Sequence, residues 1–227
     1  MDSVALSSVS VCVTFAQKPG AFVLAPDICT SCSFEVRSVK LFAKRPIEEL
    51  GGCRVRMTAQ SMTSVTLLRI LLEERYGLRP DYLNGSYEDS DEACLLIGDQ
   101  ALEENERCRF SFDYDLGSLW LEWQKLPFVF GAWIISRSAL RPGLEQTLAN
   151  YMDATKRSIE CFKANSKQAL DKWLSKYPVC LPRPVIDDYY TALDYRFTDE
   201  RKESLKLFFK YAQKMNLVQE VPMLEFL

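Results

Sequence analysis

Between Ser61 and Gly77 the chain reads SMTSVTLLRILLEERYG, a helix whose apolar face is too broad for a surface position. Val65, Leu67, Leu68, Ile70, Leu71 and Leu72 cover most of its circumference. Arg69 and Glu73, four residues apart, mark a narrow solvent side. A helix apolar over that width must be buried between a sheet and further elements. The flanking segments supply the sheet. CRVRMTA, VRSVKLFAK (36–44), ACLLIGD (93–99) and FVFGAWIIS (128–136) read as strands, and AFVLAPDICT as an extended piece ending at Pro26-Asp27. Strands alternating with helices predict an α/β architecture. Beyond Ser138, apolar residues recur at spacings of three and four. That predicts a helix-rich C-terminal third, its last helix opening at an N-cap Thr198.

The start of the broad helix carries more hydroxyls than a cap requires. With Ser61 as N-cap, Ser64 falls at N3, where a capping box would have Glu or Gln. Ser64 is too short to reach back well, so first-turn amides and the hydroxyls of Thr63 and Ser64 are left at the positive end of the dipole. Such a turn suits a carboxylate or phosphate. It lacks the glycines and lysine of a P-loop, which argues against a nucleoside triphosphate. Plain capping accounts for the same hydroxyls, and pattern alone leaves the two readings level. Ligands of α/β folds sit beyond the carboxyl ends of parallel strands. Two other turns fall in that position, Ser7-Ser8 and Gly98-Asp99.

Composition removes several function classes. The 227 residues contain no histidine, which excludes Ser-His-Asp and Cys-His catalysis. Chemistry would have to use carboxylates, hydroxyls, backbone amides, lysine, tyrosine or the substrate's own groups. A net charge of −3 gives no electrostatic reason for a nucleic-acid or anionic-membrane partner. No apolar run reaches the roughly 18 residues a membrane span needs. The opening MDSVALSSVSVCVTF lacks the basic and apolar regions of an export signal, so the eight cysteines read as free thiols of a reducing cytoplasm. Cys29-Thr30-Ser31-Cys32 is a lone C-x-x-C. With no second pair and no histidine, a tetrahedral metal site is hard to complete, and no metal is expected.

TAQSMTSVTLLRILLEERYGLRPDY, LLIGDQAL, YDLGSLWLEWQKLPFVFGAW and YYTALDYRF, with DSVALSSVSV, LAPDICTS and VRSVKLF ahead of them, together resemble the chorismate dehydratases of the futalosine route to menaquinone. The likeness runs along nearly the whole chain. It is most specific at Asp115-Leu116-Gly117 followed by Leu126 to Phe130. It implies a two-lobed α/β fold like type II periplasmic binding proteins, with the ligand in an interlobe cleft. On that template lobe one is 1–48 with 128–227, and lobe two is 49–127. The implied reaction is loss of water from chorismate to give 3-[(1-carboxyvinyl)oxy]benzoate, with no metal or organic cofactor. Carried onto this chain, the resemblance implies that Ser38 orients a substrate carboxylate. Asp99 would serve as acid for the departing hydroxyl or as a helix cap. Substrate contacts would come from Ser8, Ser61, Thr63, Ser64, Gly98, Phe128 and Phe130, although buried sheet aromatics explain the two phenylalanines equally well.

Relatives open with a strand–helix–strand carrying an asparagine-rich turn that has no counterpart here, and Ser118 stands where they often have an acidic residue. The first lobe is therefore expected to be truncated at its N-terminus. Its exposed sheet edge could pair with a second copy. A solute-binding protein for a small carboxylate, or an inactive relative of the same fold, remains as another reading. The sister 1,4-dihydroxy-6-naphthoate synthases resemble proteins relying on a histidine base, which this chain lacks.

Overall fold

The computed structural model describes residues 6–7, 15–140 and 142–227. In chain order its strands are β1 (Leu6–Ser7), β2 (Phe22–Cys32), β3 (Val39–Ala43), β4 (Arg54–Met57), β5 (Asp81–Asn84), β6 (Ala93–Ile97), β7 (Phe112–Asp115), β8 (Val129–Ser136) and β9 (Leu193–Arg196). Its helices are α1 (Met62–Ile70), α2 (Asp99–Arg107), α3 (Leu116–Gln124), α4 (Glu145–Ala164), α5 (Ser166–Lys176), α6 (Arg183–Ala192) and α7 (Asp199–Lys214). The strands form a four-stranded sheet, β1-β8-β2-β9, and a five-stranded sheet, β5-β4-β6-β3-β7. The first is antiparallel throughout. The second is parallel over β5-β4-β6 and antiparallel at β3 and β7.

The strand Val39–Ala43, expected in the first lobe, lies in the second sheet, hydrogen-bonded to β6 and β7. The chain therefore crosses between sheets before Val39. Mostly apolar, with Lys40 its one polar residue, this strand carries no local signal of which sheet receives it. β2 also runs further than expected. It passes through Pro26-Asp27 to Cys32, its register against β8 shifting between Leu24 and Cys29, where Asp27 takes φ +65°. Proline has no amide to give a ladder, and a bulge is where a strand tolerates it.

The broad helix is buried as its composition requires: Leu67, Leu68, Ile70, Leu71 and Leu72 are fully enclosed. After Ile70 it widens into one π-turn, Leu71–Arg75, with Tyr76 N donating to Leu71 O, and Gly77 closes it at φ +69°. The long helical stretch after Gly143 breaks at Asn165 into α4 and α5. One apolar core joins both sheets. Part of it is aromatic, with Trp120 of α3 edge-on to Phe128, just ahead of β8, at 5.3 Å and donating through Nε1 to Ser204 Oγ of α7 at 3.0 Å. Among the described residues no helix is long and apolar enough to cross a membrane.

Candidate functional site

Strand register gathers most of the candidate residues on one rim of the five-stranded sheet. β3 is antiparallel to β6 with Val39 opposite Ile97, so the start of β3 and the end of β6 meet. Gly98 N donates to Ser38 O there at 2.7 Å. β7 is antiparallel to β3 with Lys40 opposite Asp115, which brings Asp115 alongside. β4 is parallel to β6, so the chain leaving Met57 towards Ser61 emerges on the same rim. Asn84, the Ser61 turn, Gly98-Asp99, Ser38 and Asp115 therefore follow one another along it.

Ser61 caps α1 as expected, its Oγ accepting from Ser64 N at 3.2 Å. The Ser64 hydroxyl is not spare, because it shares a 2.9 Å hydrogen bond with Ser61 Oγ. Thr63 differs. It is 1% exposed, and its Oγ1 is buried without a hydrogen-bond partner among the described residues. A buried hydroxyl left unpaired costs on the order of 1–3 kcal/mol, so this atom stands out as one that a ligand would satisfy. The first-turn amides beside it are the orphan donors of every helix start.

Gly98 is the N-cap of α2, with φ +58°. Asp99 is thus the first helical residue and makes no capping hydrogen bond, which removes the cap role expected of it. It stays exposed on the rim. Ser38 is 5% exposed. Next to it, Arg37 Nη1 donates to Asp188 Oδ2 at 2.9 Å.

Phe128 and Phe130 are placed elsewhere. Both are buried, Phe128 just before β8 and Phe130 on it, their rings 4.8 Å apart, with Phe128 also against Trp120 and Phe208. They belong to the aromatic core rather than to a substrate wall, because α3 and α7 close over them. Ser8 lies outside the described residues.

Sequence reasoning missed the role of Asp115. Its Oδ1 accepts from Ser118 N at 3.0 Å, capping α3, and from Val36 N at 3.1 Å. Its Oδ2 accepts from Arg37 N at 2.7 Å. One carboxylate thus fixes the crossover segment that leads into Ser38. Burial raises its pKa, against the pull of these three amides. The signal was an Asp three residues before Ser118, an ordinary N-cap spacing.

A cleft of about 950 Å³ opens behind the crossover, lined by Ser33, Arg37, Ser118, Lys163 and Asp188 among others, and none of the expected site residues lines it. Cys29 and Cys32 sit in β2, both buried and free. Burial pushes the Cys29 thiol up to about 12 and raises Cys32 further. Thiolates are scarce there at neutral pH, which argues against redox chemistry. Maleimide at neutral pH should label the exposed Cys108, Cys161 and Cys180 rapidly, and Cys29 and Cys32 only after unfolding; mass mapping of the labelled peptides checks this.

A family model for menaquinone biosynthesis matches residues 2–214. The chorismate dehydratase of Thermus thermophilus is 34% identical over 132 residues, which are 50% of this chain and 48% of that protein. The chain thus spans about half the length of the curated relative it matches. A crystal structure of an Archaeoglobus fulgidus protein aligns over 95% of this chain and 80% of its own, with 19% identity and a TM-score of 0.70. A Candida albicans protein described as having the generic periplasmic binding protein fold aligns over 90% of this chain and 72% of its own, with 9% identity and a TM-score of 0.58. These structural likenesses show the fold, two-lobed and of the periplasmic-binding-protein type. With a match that takes in nearly its whole length, the chain belongs to the menaquinone biosynthesis family.

Proposed function

We propose that this protein is a chorismate dehydratase, converting chorismate to 3-[(1-carboxyvinyl)oxy]benzoate and water. The observation that carries the reading is the buried, unpartnered Thr63 Oγ1 at a helix N-terminus, on the rim that also holds Ser38 and Gly98. Anions are favoured at such a terminus by its dipole and free amides. Chorismate brings two carboxylates. We assign one to the first turn of α1 and the other to the Ser38 hydroxyl. The family and the Thermus relative support the choice of substrate.

The chemistry suits a chain without histidine. The substrate's own enolpyruvyl carboxylate removes the ring C3 proton. The C–H electron pair becomes ring π-bond, and the C4 hydroxyl departs as water, with Asp99 assigned as its proton donor. Aromatisation drives the step, and the equation balances without a cofactor. The protein contributes position and electrostatics, holding the carboxylate beside the C3 proton. The free thiols fit a reducing compartment, and we place the reaction in the cytoplasm.

Following chorismate and the enolpyruvyl benzoate by chromatography tests the reading; no product at any protein concentration would overturn it. The clamp has its own test. Thr63→Val should weaken chorismate binding about tenfold, the size of one hydrogen bond, while Ser61→Ala with Ser64→Ala should cost mainly stability, about 0.5–2 kcal/mol, the range for a lost cap. Calorimetric binding unchanged by Thr63→Val would mean that this turn does not hold the carboxylate.

A further inference from the structure

Two cavities meet between α4, α5 and α6. One is a groove of about 540 Å³ with aromatic walls: Trp133 of β8, Tyr195 of β9, Tyr190 of α6, and Tyr151 and Phe162 of α4. Between the last two, the same face of α4 carries the small residues Ala154, Thr155 and Ser158, which leave the space open. The other is the cleft of about 950 Å³ behind the crossover. Phe162 and Tyr190, their rings 5.5 Å apart, line both, so the groove and the cleft adjoin at this pair.

The acids of the cleft already have arginine partners. Asp188 and Glu35 face Arg37, Asp187 faces Arg183, and Asp194 is held by Arg196 and Arg201. Two cations of its wall, Lys163 and Lys167, do not have a close anion. Lys163 Nζ is 3.9 Å from Asp194 Oδ1, and Lys167 has no ion pair among the described residues. Lys163 Nζ also lies 6.0 Å from the centre of the Tyr195 ring, so this charge stands where the cleft passes into the groove.

We propose that groove and cleft together bind a planar aromatic carboxylate, its ring among Trp133, Tyr190 and Tyr195 and its carboxylate towards Lys163 and Lys167. Aromatic walls favour a flat ring through edge and face contacts. A mostly apolar wall with a few polar groups at one end is the usual form of a small-molecule site. The ligand is an anion because the unmatched groups are lysines; a cation would have to take the carboxylates from their arginines. None of Ser38, Ser61, Thr63, Ser64, Gly98 and Asp99 lines either cavity, so the proposal does not rest on the chorismate reading of the rim.

Titration calorimetry on the full chain with 3-phenoxybenzoate, and with 3-phenoxybenzamide as its uncharged counterpart, tests this. The acid should bind at submillimolar concentration. Ser158→Phe, an exposed position on α4, fills the groove and should weaken binding at least tenfold; Ala154→Phe replaces it if its thermal midpoint shows that it unfolds. Lys163→Gln with Lys167→Gln should lose about threefold to tenfold, the size of exposed ion pairs. The amide should bind more weakly than the acid by the same factor, and should not distinguish wild type from the lysine variant. Thr63→Val, at the rim, should leave binding unchanged. No binding of the acid at millimolar concentration overturns the proposal. So does binding weakened by Thr63→Val but not by the groove-filling variant, which would put the ring at the rim, and so does equal affinity for acid and amide. Each readout is independent of whether the protein converts chorismate.

Discussion

Asp194→Leu is expected to cost about 3–5 kcal/mol of folding stability, the range for removing one partner of a buried ion pair. Arg201 is 4% exposed on α7 and cannot shed its charge. Its Nη2 donates to Asp194 Oδ2 at 3.0 Å. Its other partners are neutral hydroxyls: Ser31 Oγ at 2.6 Å, Ser33 Oγ at 3.3 Å and Thr198 Oγ1 at 3.2 Å. Without Asp194 a guanidinium stays buried with no anion in contact among the described residues. Chemical denaturation gives the loss directly. The double variant Asp194→Leu with Arg201→Leu should recover much of it, since an apolar pair avoids both desolvation costs.

Acid should reproduce part of the same loss. Burial works to raise the Asp194 carboxyl, but hydrogen bonds from Arg196 and the charges of Arg201 and Arg196 outweigh it and hold the pKa well below the usual carboxylate range. A carboxyl depressed on folding stabilises fully above its unfolded value of about 3.9, and that stability is lost as pH falls from there through the folded value. Denaturation midpoints measured down this range should fall less steeply for Asp194→Asn than for the wild type.

Gly117→Ala should destabilise the junction between the sheets by about 1–3 kcal/mol, the usual cost of overpacking. A Cβ there would lie 2.6 Å from Cys32 Sγ, 3.1 Å from Asp115 Oδ1 and 3.2 Å from Phe34 O. Phe34 belongs to the crossover leading into Ser38, Cys32 ends the strand before it, and Asp115 anchors it. α3 can approach so closely only because residue 117 has no side chain. Adding Cys32→Ala should restore part of the loss by removing the nearest atom, and a pair that simply adds would show that the Sγ contact is not the cause. Because Asp115 fixes Val36 and Arg37, the substitution should also weaken chorismate binding more than its stability cost alone would.

Much of this was legible locally. The broad apolar face of residues 65–72 announced a buried helix, and Ser61 its cap, because both depend on spacing along one helix. The rim was partly legible, since the turns after β4 and β6 follow strand ends. Sheet membership was not. Val39–Ala43 is mostly apolar, and only its pairing with β6 and β7 decides where it lies. Phe128 and Phe130 read equally as site or core residues, because the Phe208 that packs on Phe128 comes from α7, some 80 residues later. The Arg201–Asp194–Ser31 network joins residues up to 170 positions apart, a separation that leaves no mark on any local pattern. Arg37 and Asp188 are paired in the same nonlocal way.

Proton NMR of chorismate mixed with the protein tests most directly whether this rim dehydrates it. Expected are loss of the cyclohexadiene signals and growth of meta-substituted aromatic signals, with the enolpyruvyl methylene protons retained. Chorismate left unchanged beside saturating protein would contradict the dehydration, and so would aromatic product formed with release of free pyruvate.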